Sequence, residues 1–126
     1  MTVEGYIDDA GTPRIKVEIT GRRAKVGVDA ILDTGFNGEL CVPIPIAIQL
    51  GLDLIGESLV TYADGRVEAQ LLFAGKAKMG EAERDVEITL TRGEETILGT
   101  SLLIEVKVLL DFKQRKLKME SGFGKS

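Results

Sequence analysis

Val26, Val28, Ala30, Ile31 and Leu32 begin in alternation and end as a continuous apolar run, which stops at Asp33-Thr34-Gly35-Phe36-Asn37-Gly38. Alternation reads as a strand with one wet face, and the continuous end as a strand covered on both faces. The chain therefore delivers a carboxylate, Asp33, to a place where burying charge is costly, and then turns at once. Thr34 supplies a hydroxyl that can hold neighbouring backbone or another copy of itself. Gly35 has no Cβ, so a second chain or a substrate can approach its main chain closely. A carboxylate beside open backbone is a candidate general acid or base. Asp-Thr-Gly is equally a good turn, and taken alone the tripeptide leaves both readings open.

Two later segments add context. Val60-Thr61-Tyr62-Ala63-Asp64-Gly65-Arg66-Val67 reads as part of a hairpin over residues 58 to 74, with Asp-Gly at its turn. Ile97-Leu98-Gly99-Thr100-Ser101-Leu102-Leu103 reads as an apolar strand ending in Gly, followed by a short helix. In this order, with Leu40 and Pro43 after the first segment, the three resemble the retropepsin-like aspartic peptidases, most closely the small prokaryotic members, over about residues 3 to 119. The resemblance implies an all-β fold, a closed retropepsin-like β-barrel with a flap hairpin and one or two short helices. It implies Asp33, Thr34 and Gly35 as catalytic residues, Thr34 locking two loops together and Gly35 binding substrate backbone. It implies Asn37, Tyr62, Ala63, Asp64, Gly65, Leu98 and Gly99 as the substrate-binding set, with the residues from Tyr62 to Gly65 in the flap that closes over bound peptide. Retroviral members usually carry an acid two residues after the Gly of Asp-Thr-Gly and an Arg directly after the Ile-Leu-Gly-type motif, the two forming an ion pair. Here those positions hold Asn37 and Thr100. Both partners are replaced together, so retroviral dimer contacts and subsite preferences do not transfer.

The absence of histidine narrows the chemistry independently. It excludes Ser-His-Asp and Cys-His mechanisms and removes the commonest zinc ligand. Paired carboxylates are the leading hydrolytic option that survives, and no metal or cofactor is expected. Such chemistry needs two carboxylates sharing a proton, yet the chain has one Asp-Thr-Gly. Val108-Leu109-Leu110-Asp111 is superficially similar, but Phe112 and Lys113 follow, so Asp111 reads as an exposed strand-end carboxylate. The second acid must then come from a second copy, and a homodimer acting on a peptide or protein substrate is the expected assembly.

At 126 residues the chain is expected to be one domain, residues 1 to 126, large enough for a real core. Its net charge of −4 and six aromatic residues argue against a nucleic-acid partner. Cys41 is the single cysteine, so no intrachain disulfide can form, and cytoplasmic residence is the default expectation. Cys41 itself reads as a small buried apolar residue, since no histidine is present to activate a thiolate. No stretch has signal-peptide form or membrane-spanning length, so no membrane partner is expected.

In chain order, Val3 to Ile7 and Ile15 to Ile19 read as strands joined by the turn Asp8-Asp9-Ala10-Gly11. Gly21-Arg22-Arg23 is the next turn. After the Asp33 loop come a short strand, Leu40 to Val42, and a helix opened by Pro43 and Pro45 and stopped by Gly51. Residues 52 to 56 read as a connector. Further strands are expected over 71 to 78 and 85 to 90, around the polar turn Gly80-Glu81-Ala82-Glu83. Thr100 or Ser101 is expected to cap a short helix reaching Ile104. Val106 to Phe112 and Lys116 to Met119 read as a closing strand pair, and residues 121 to 126 as a frayed tail. A peptide-binding or dimerisation module that keeps the barrel without catalysis is the competing function, because fold alone cannot decide it.

Overall fold

The computed structural model describes residues 2–121. Ser121, expected in the tail, is instead paired with Val106 in the last strand, and the rest of the tail expectation, 122–126, lies outside the described residues. Ten strands form one sheet: β1 (Thr2–Ile7), β2 (Pro13–Thr20), β3 (Lys25–Leu32), β4 (Leu40–Pro43), β5 (Asp53–Thr61), β6 (Val67–Met79), β7 (Ala82–Thr91), β8 (Ile97–Leu98), β9 (Val106–Asp111) and β10 (Lys116–Ser121). One α-helix, α1 (Ile44–Leu50), and one 3-10 turn, Thr100–Leu102, complete the described elements.

The strand order is β5-β6-β7-β4-β8-β3-β2-β1-β10-β9, and an added β6–β2 pairing closes six of the strands into a barrel. That closure sets Ile19 opposite Ala77 and Glu18 opposite Lys78. β2 makes it possible because its two ends use the same edge differently. Arg14 and Pro13 pair with β1, whereas residues 18 to 20 pair with β6. The alternation of β2 becomes burial directly: Ile15, Val17 and Ile19 are fully buried, and Lys16 and Glu18 face out. They meet Leu40, Val42, Leu98 and Ile88 in one core, to which Leu117 and Met119 of β10 also belong.

β3 ends as its sequence suggests, with Ala30 and Leu32 buried and Ile31 half-buried. Helix α1 is bounded by proline before and glycine after. Gly51 sits at φ +68° and its N–H donates to the Ala47 carbonyl, closing the last turn. The hairpin is longer than its sequence suggests. Residues 52 to 56 are not a connector: β5 starts at Asp53, and the register shifts between Leu54 and Gly56, a bulge that lets the strand continue. β6 runs unbroken from Val67 to Met79, and β7 reaches back to Ala82, so the polar turn contracts to Gly80 and Glu81. Cross-strand pairing decides these ends, and periodicity within one strand does not report it.

A charge cluster ties the first hairpin to the segment before β8. Arg14 Nε donates to Asp8 Oδ2 at 2.7 Å, and its Nη1 and Nη2 donate to the Glu95 carboxylate at 2.8 and 3.3 Å. Asp8 Oδ1 accepts the N–H groups of Ala10 and Thr12, which makes the Asp8-Asp9 pair a hairpin tip. The Arg14 bond, helped by the Thr12 N–H, holds the Asp8 carboxyl below the usual carboxylate range, and Arg14 does the same to Glu95. Depressed folded values stabilise the fold above the ordinary carboxylate range of about 4, and that contribution is lost as pH falls through the folded values. Arg14→Gln should therefore lower stability at neutral pH and flatten the acid side of the stability curve. Urea unfolding between about pH 7 and about pH 3 measures this; parallel curves for the two proteins would show that the cluster does not couple to folding.

Candidate active site

Asp33 stands one residue beyond β3, at a point held from three sides. Its N–H donates to the Leu98 carbonyl at 3.0 Å, which continues the parallel β3–β8 pairing of Ile31 with Ile97 and Leu32 with Leu98. The Gly35 N–H donates to Asp33 Oδ1 at 2.8 Å, and the Phe36 N–H to the Asp33 carbonyl at 3.1 Å. The tripeptide is thus a genuine turn, and the turn presents the acid. Asp33 is half-buried, and its second oxygen, Oδ2, makes no hydrogen bond among the described residues. The strand end was expected to surround a buried charge; in the single chain one side of Asp33 stays open. Thr34 and Gly35 are exposed. A Cβ built on Gly35 would meet only Asp33 Oδ1, at 3.1 Å, so the space over that backbone is free for an approaching chain.

The loop rests on residues far away in sequence. Gly99 donates its N–H to the Glu39 carbonyl, Thr100 to the Phe36 carbonyl and Ser101 to the Gly38 carbonyl. The Thr100 hydroxyl adds a bond to the Phe36 carbonyl at 3.3 Å, and the Ser101 hydroxyl one to the Asn37 carbonyl at 2.5 Å. These hydroxyls were expected as helix caps; they are spent on the loop instead, no side chain caps the turn, and only the 3-10 segment Thr100–Leu102 forms. Neutral hydrogen bonds therefore hold the region around Asn37 and Thr100, where an ion pair was absent from the sequence. The Phe36 ring lies between two glycines. A Cβ at Gly99 would collide with the Gly38 carbonyl oxygen and come within 2.6 Å of Phe36 Cδ2, and one at Gly38 would come within 2.8 Å of Phe36 Cε1.

Of the residues named from sequence, Asp33, Thr34, Gly35, Asn37, Leu98 and Gly99 converge on this loop. Leu98 and Gly99 form its floor: both are buried, and what they offer the loop is main chain. Tyr62, Ala63, Asp64 and Gly65 lie apart, at the tip of the β5–β6 hairpin. There the Tyr62 N–H donates to the Arg66 carbonyl at 2.8 Å, the Asp64 carboxylate accepts the Arg66 N–H at 2.9 Å, and Gly65 takes φ +85°. The Arg66 guanidinium sits 4.6 Å above the Tyr62 ring. No hydrogen bond or ion pair joins this tip to the Asp33 loop among the described residues. A groove of about 740 Å³ runs from Asn37, Gly38 and Ser101 to Ile55 at the hairpin base.

Three supporting roles escaped the sequence reading. Phe36 locks the loop between glycines. Ser101 ties down Asn37. Glu39 fastens the far end of the loop to β7, accepting from Arg84 Nη2 at 3.0 Å and from the Glu87 N–H at 2.8 Å. The paired glycines at 38 and 99 were the one available signal for the first. Cys41 is half-buried, with its thiol pushed up by burial. Asp111 is a turn anchor whose Oδ1 accepts the N–H groups of Lys113 and Gln114, rather than a bare strand-end carboxylate. Among the described residues no group of three or more His, Cys, Asp or Glu is arranged to hold a metal ion, and no helix is long and apolar enough to cross a membrane.

Comparison with solved structures places the chain among proteins of one architecture. It is similar to a retropepsin-like aspartic protease from Rickettsia conorii, with a TM-score of 0.64 at 17% identity over 94% of this chain and 89% of that one. It is similar to the protease of Simian Foamy Virus (mac), with a TM-score of 0.55 at 19% identity over 72% of this chain and 91% of that one. A foamy viral protease-reverse transcriptase, solved with an RNA/DNA hybrid, gives a TM-score of 0.51 at 17% identity over 75% of this chain and 12% of that one. No protein-family model matches the sequence, and no curated protein does. The fold is retropepsin-like, an all-β closed barrel.

The floor of the loop generates a direct test. Gly99→Ala forces a methyl into main-chain atoms that cannot move aside and should destabilise by about 2–4 kcal/mol. Ser101→Ala removes one side-chain bond and should cost about 1 kcal/mol. Urea unfolding measures both. A Gly99→Ala protein as stable as wild type would mean that the loop does not depend on this contact.

Proposed function

We propose that this retropepsin-like chain is an aspartic endopeptidase that works as a homodimer. The observation that carries the reading is Asp33 itself: a half-buried acid with one oxygen anchored and one free, beside open Gly35 backbone, on a loop braced by β8. A scaffold would need no such acid in its loop. The chain supplies one Asp-Thr-Gly, so the second carboxylate is Asp33 of another copy facing it across a two-fold axis.

Two carboxylates so placed share one proton, because like charges about 3 Å apart do not both ionise. The ionised one takes a proton from a water lying between them. The protonated one donates to the scissile carbonyl oxygen, and water oxygen attacks the carbonyl carbon to give a gem-diol. The acid that took the water proton then passes it to the amide nitrogen, while the other accepts a gem-diol proton. The C–N bond breaks, a carboxylic acid and an amine leave, and the pair is back to one proton. Thr34 of each copy holds the opposed loops, and Gly35 receives the extended substrate. The substrate lies along the groove that begins at Asn37, with the hairpin tip, Tyr62 to Gly65, closing over it and excluding water. Residues 1 to 126 act as one domain, and the lone Cys41 suits a reducing cytoplasm.

Incubation with a diverse peptide mixture from acidic to neutral pH should give endoproteolytic products, and Asp33→Asn should reduce them by about three orders of magnitude or more. Sedimentation should show a dimer at micromolar concentration. The associated pair keeps a proton that separated chains release, so dimerisation should weaken as pH rises, and Asp33→Asn should dimerise with less dependence on pH. A strictly monomeric species that still cleaves peptides, or parallel pH curves for the two proteins, would eliminate the shared-proton dimer.

A further inference from the structure

We propose that a second site, a groove beside α1, binds a small monocarboxylate with an alkyl body. The groove has a volume of about 290 Å³, at the low end for ligand pockets. Leu52, Phe73 and Leu90 are half-buried in it, and Ile44 and Ile48 of α1 stand along it at 38% and 66% exposure. The lining shares no residue with the loop from Asp33 to Glu39 or with the segment from Leu98 to Ser101.

Arg23 is the one lining residue with a polar side chain. Its main-chain N–H is bonded to the Leu50 carbonyl at 2.9 Å, which fixes it against the end of α1. Its stem lies on Gly51: a Cβ there would come within 2.7 Å of Arg23 Cγ, so the glycine that caps the helix also makes room for the arginine. The neighbouring cations are engaged, Arg22 with Asp53 and Lys25 with Glu18. Arg23 has no carboxylate partner among the described residues, although it is exposed.

An apolar trough with a single unpaired guanidinium selects a ligand that is apolar along its body and anionic at one end. A peptide fits less well, because its amides would meet Ile, Leu and Phe side chains that offer them no hydrogen bonds. A cationic or neutral amphiphile would leave Arg23 unmatched.

Amide NMR titration with sodium octanoate tests the site on the intact protein, with octylammonium, octanol and N-acetyl-alanyl-leucine as comparison ligands. Octanoate should give saturable shifts clustered at Arg23, Ile48, Leu52 and Phe73. Arg23→Gln should weaken binding by about tenfold or more, and Ile48→Asp should abolish it. Asp33→Asn should bind as wild type does, so this site and the peptidase reading stand or fall separately. Unsaturable or scattered shifts, equal affinity for octanol, no effect of Arg23→Gln, or tighter binding of the dipeptide would each overturn the proposal.

Discussion

The two residues of β8, Ile97 and Leu98, hold the architecture together. β8 lies parallel to β3 and antiparallel to β4, so it is the one strand that joins the two halves of the ring at that point. Leu98 is fully buried against the core, and its carbonyl accepts the Asp33 N–H. The next three residues then use their N–H groups, and two of them their hydroxyls, on carbonyls of the loop from Phe36 to Glu39. A loop's main-chain acceptors must find partners somewhere. Here they are met by one contiguous segment, and that gives an exposed loop a rigid base.

The rigidity is distributed unevenly, and the difference bears on function. The barrel interior is a continuous apolar cluster, whereas the hairpin arms beyond the barrel are exposed: Leu59 at 74% and Val67 at 55%. Few buried contacts mean low local stability, the property a moving lid requires. The loop with Asp33 sits at the other extreme, pinned at Leu98, at Gly99 and through Glu39 to β7. A fixed acid and a loosely held hairpin are the division of labour that the proposed peptidase reading calls for. The ion pairs on the outside contribute modestly by comparison. Arg14 is the exception in kind, because its side chain is 18% exposed and its fork engages two acids at once.

The single chain leaves one oxygen of Asp33 without a hydrogen bond among the described residues. Its fold places the acid at an opening, with Thr34 and Gly35 facing outward. Residues exposed in one copy and chemically suited to a close backbone contact are what the proposed homodimer calls for. The apolar run before Asp33 suggested deeper burial than one chain provides. The run covers the strand, and in the single chain the carboxylate itself stays half-buried.

Much of this protein was legible in the residues alone. The alternation of Ile15, Val17 and Ile19 specified a half-buried strand, because a period of two is local. Pro43, Pro45 and Gly51 bounded α1, because fixed φ and the left-handed cap are properties of single residues. Asp64-Gly65 marked the hairpin turn, and Asp33-Thr34-Gly35 marked the loop. What escaped depends on partners distant in the chain. Nothing near Ile19 announces its pairing with Ala77, which closes the barrel. Nothing near Thr100 and Ser101 announces that their hydroxyls reach Phe36 and Asn37, 64 positions away, and so the expected helix became a 3-10 turn. Asp53 to Gly56 looked like a connector until the opposing strand supplied its hydrogen bonds. Local periodicity and turn chemistry are written within a few residues; register, closure and the bracing of the Asp33 loop are set by which distant backbone groups remain to be satisfied once the core has packed.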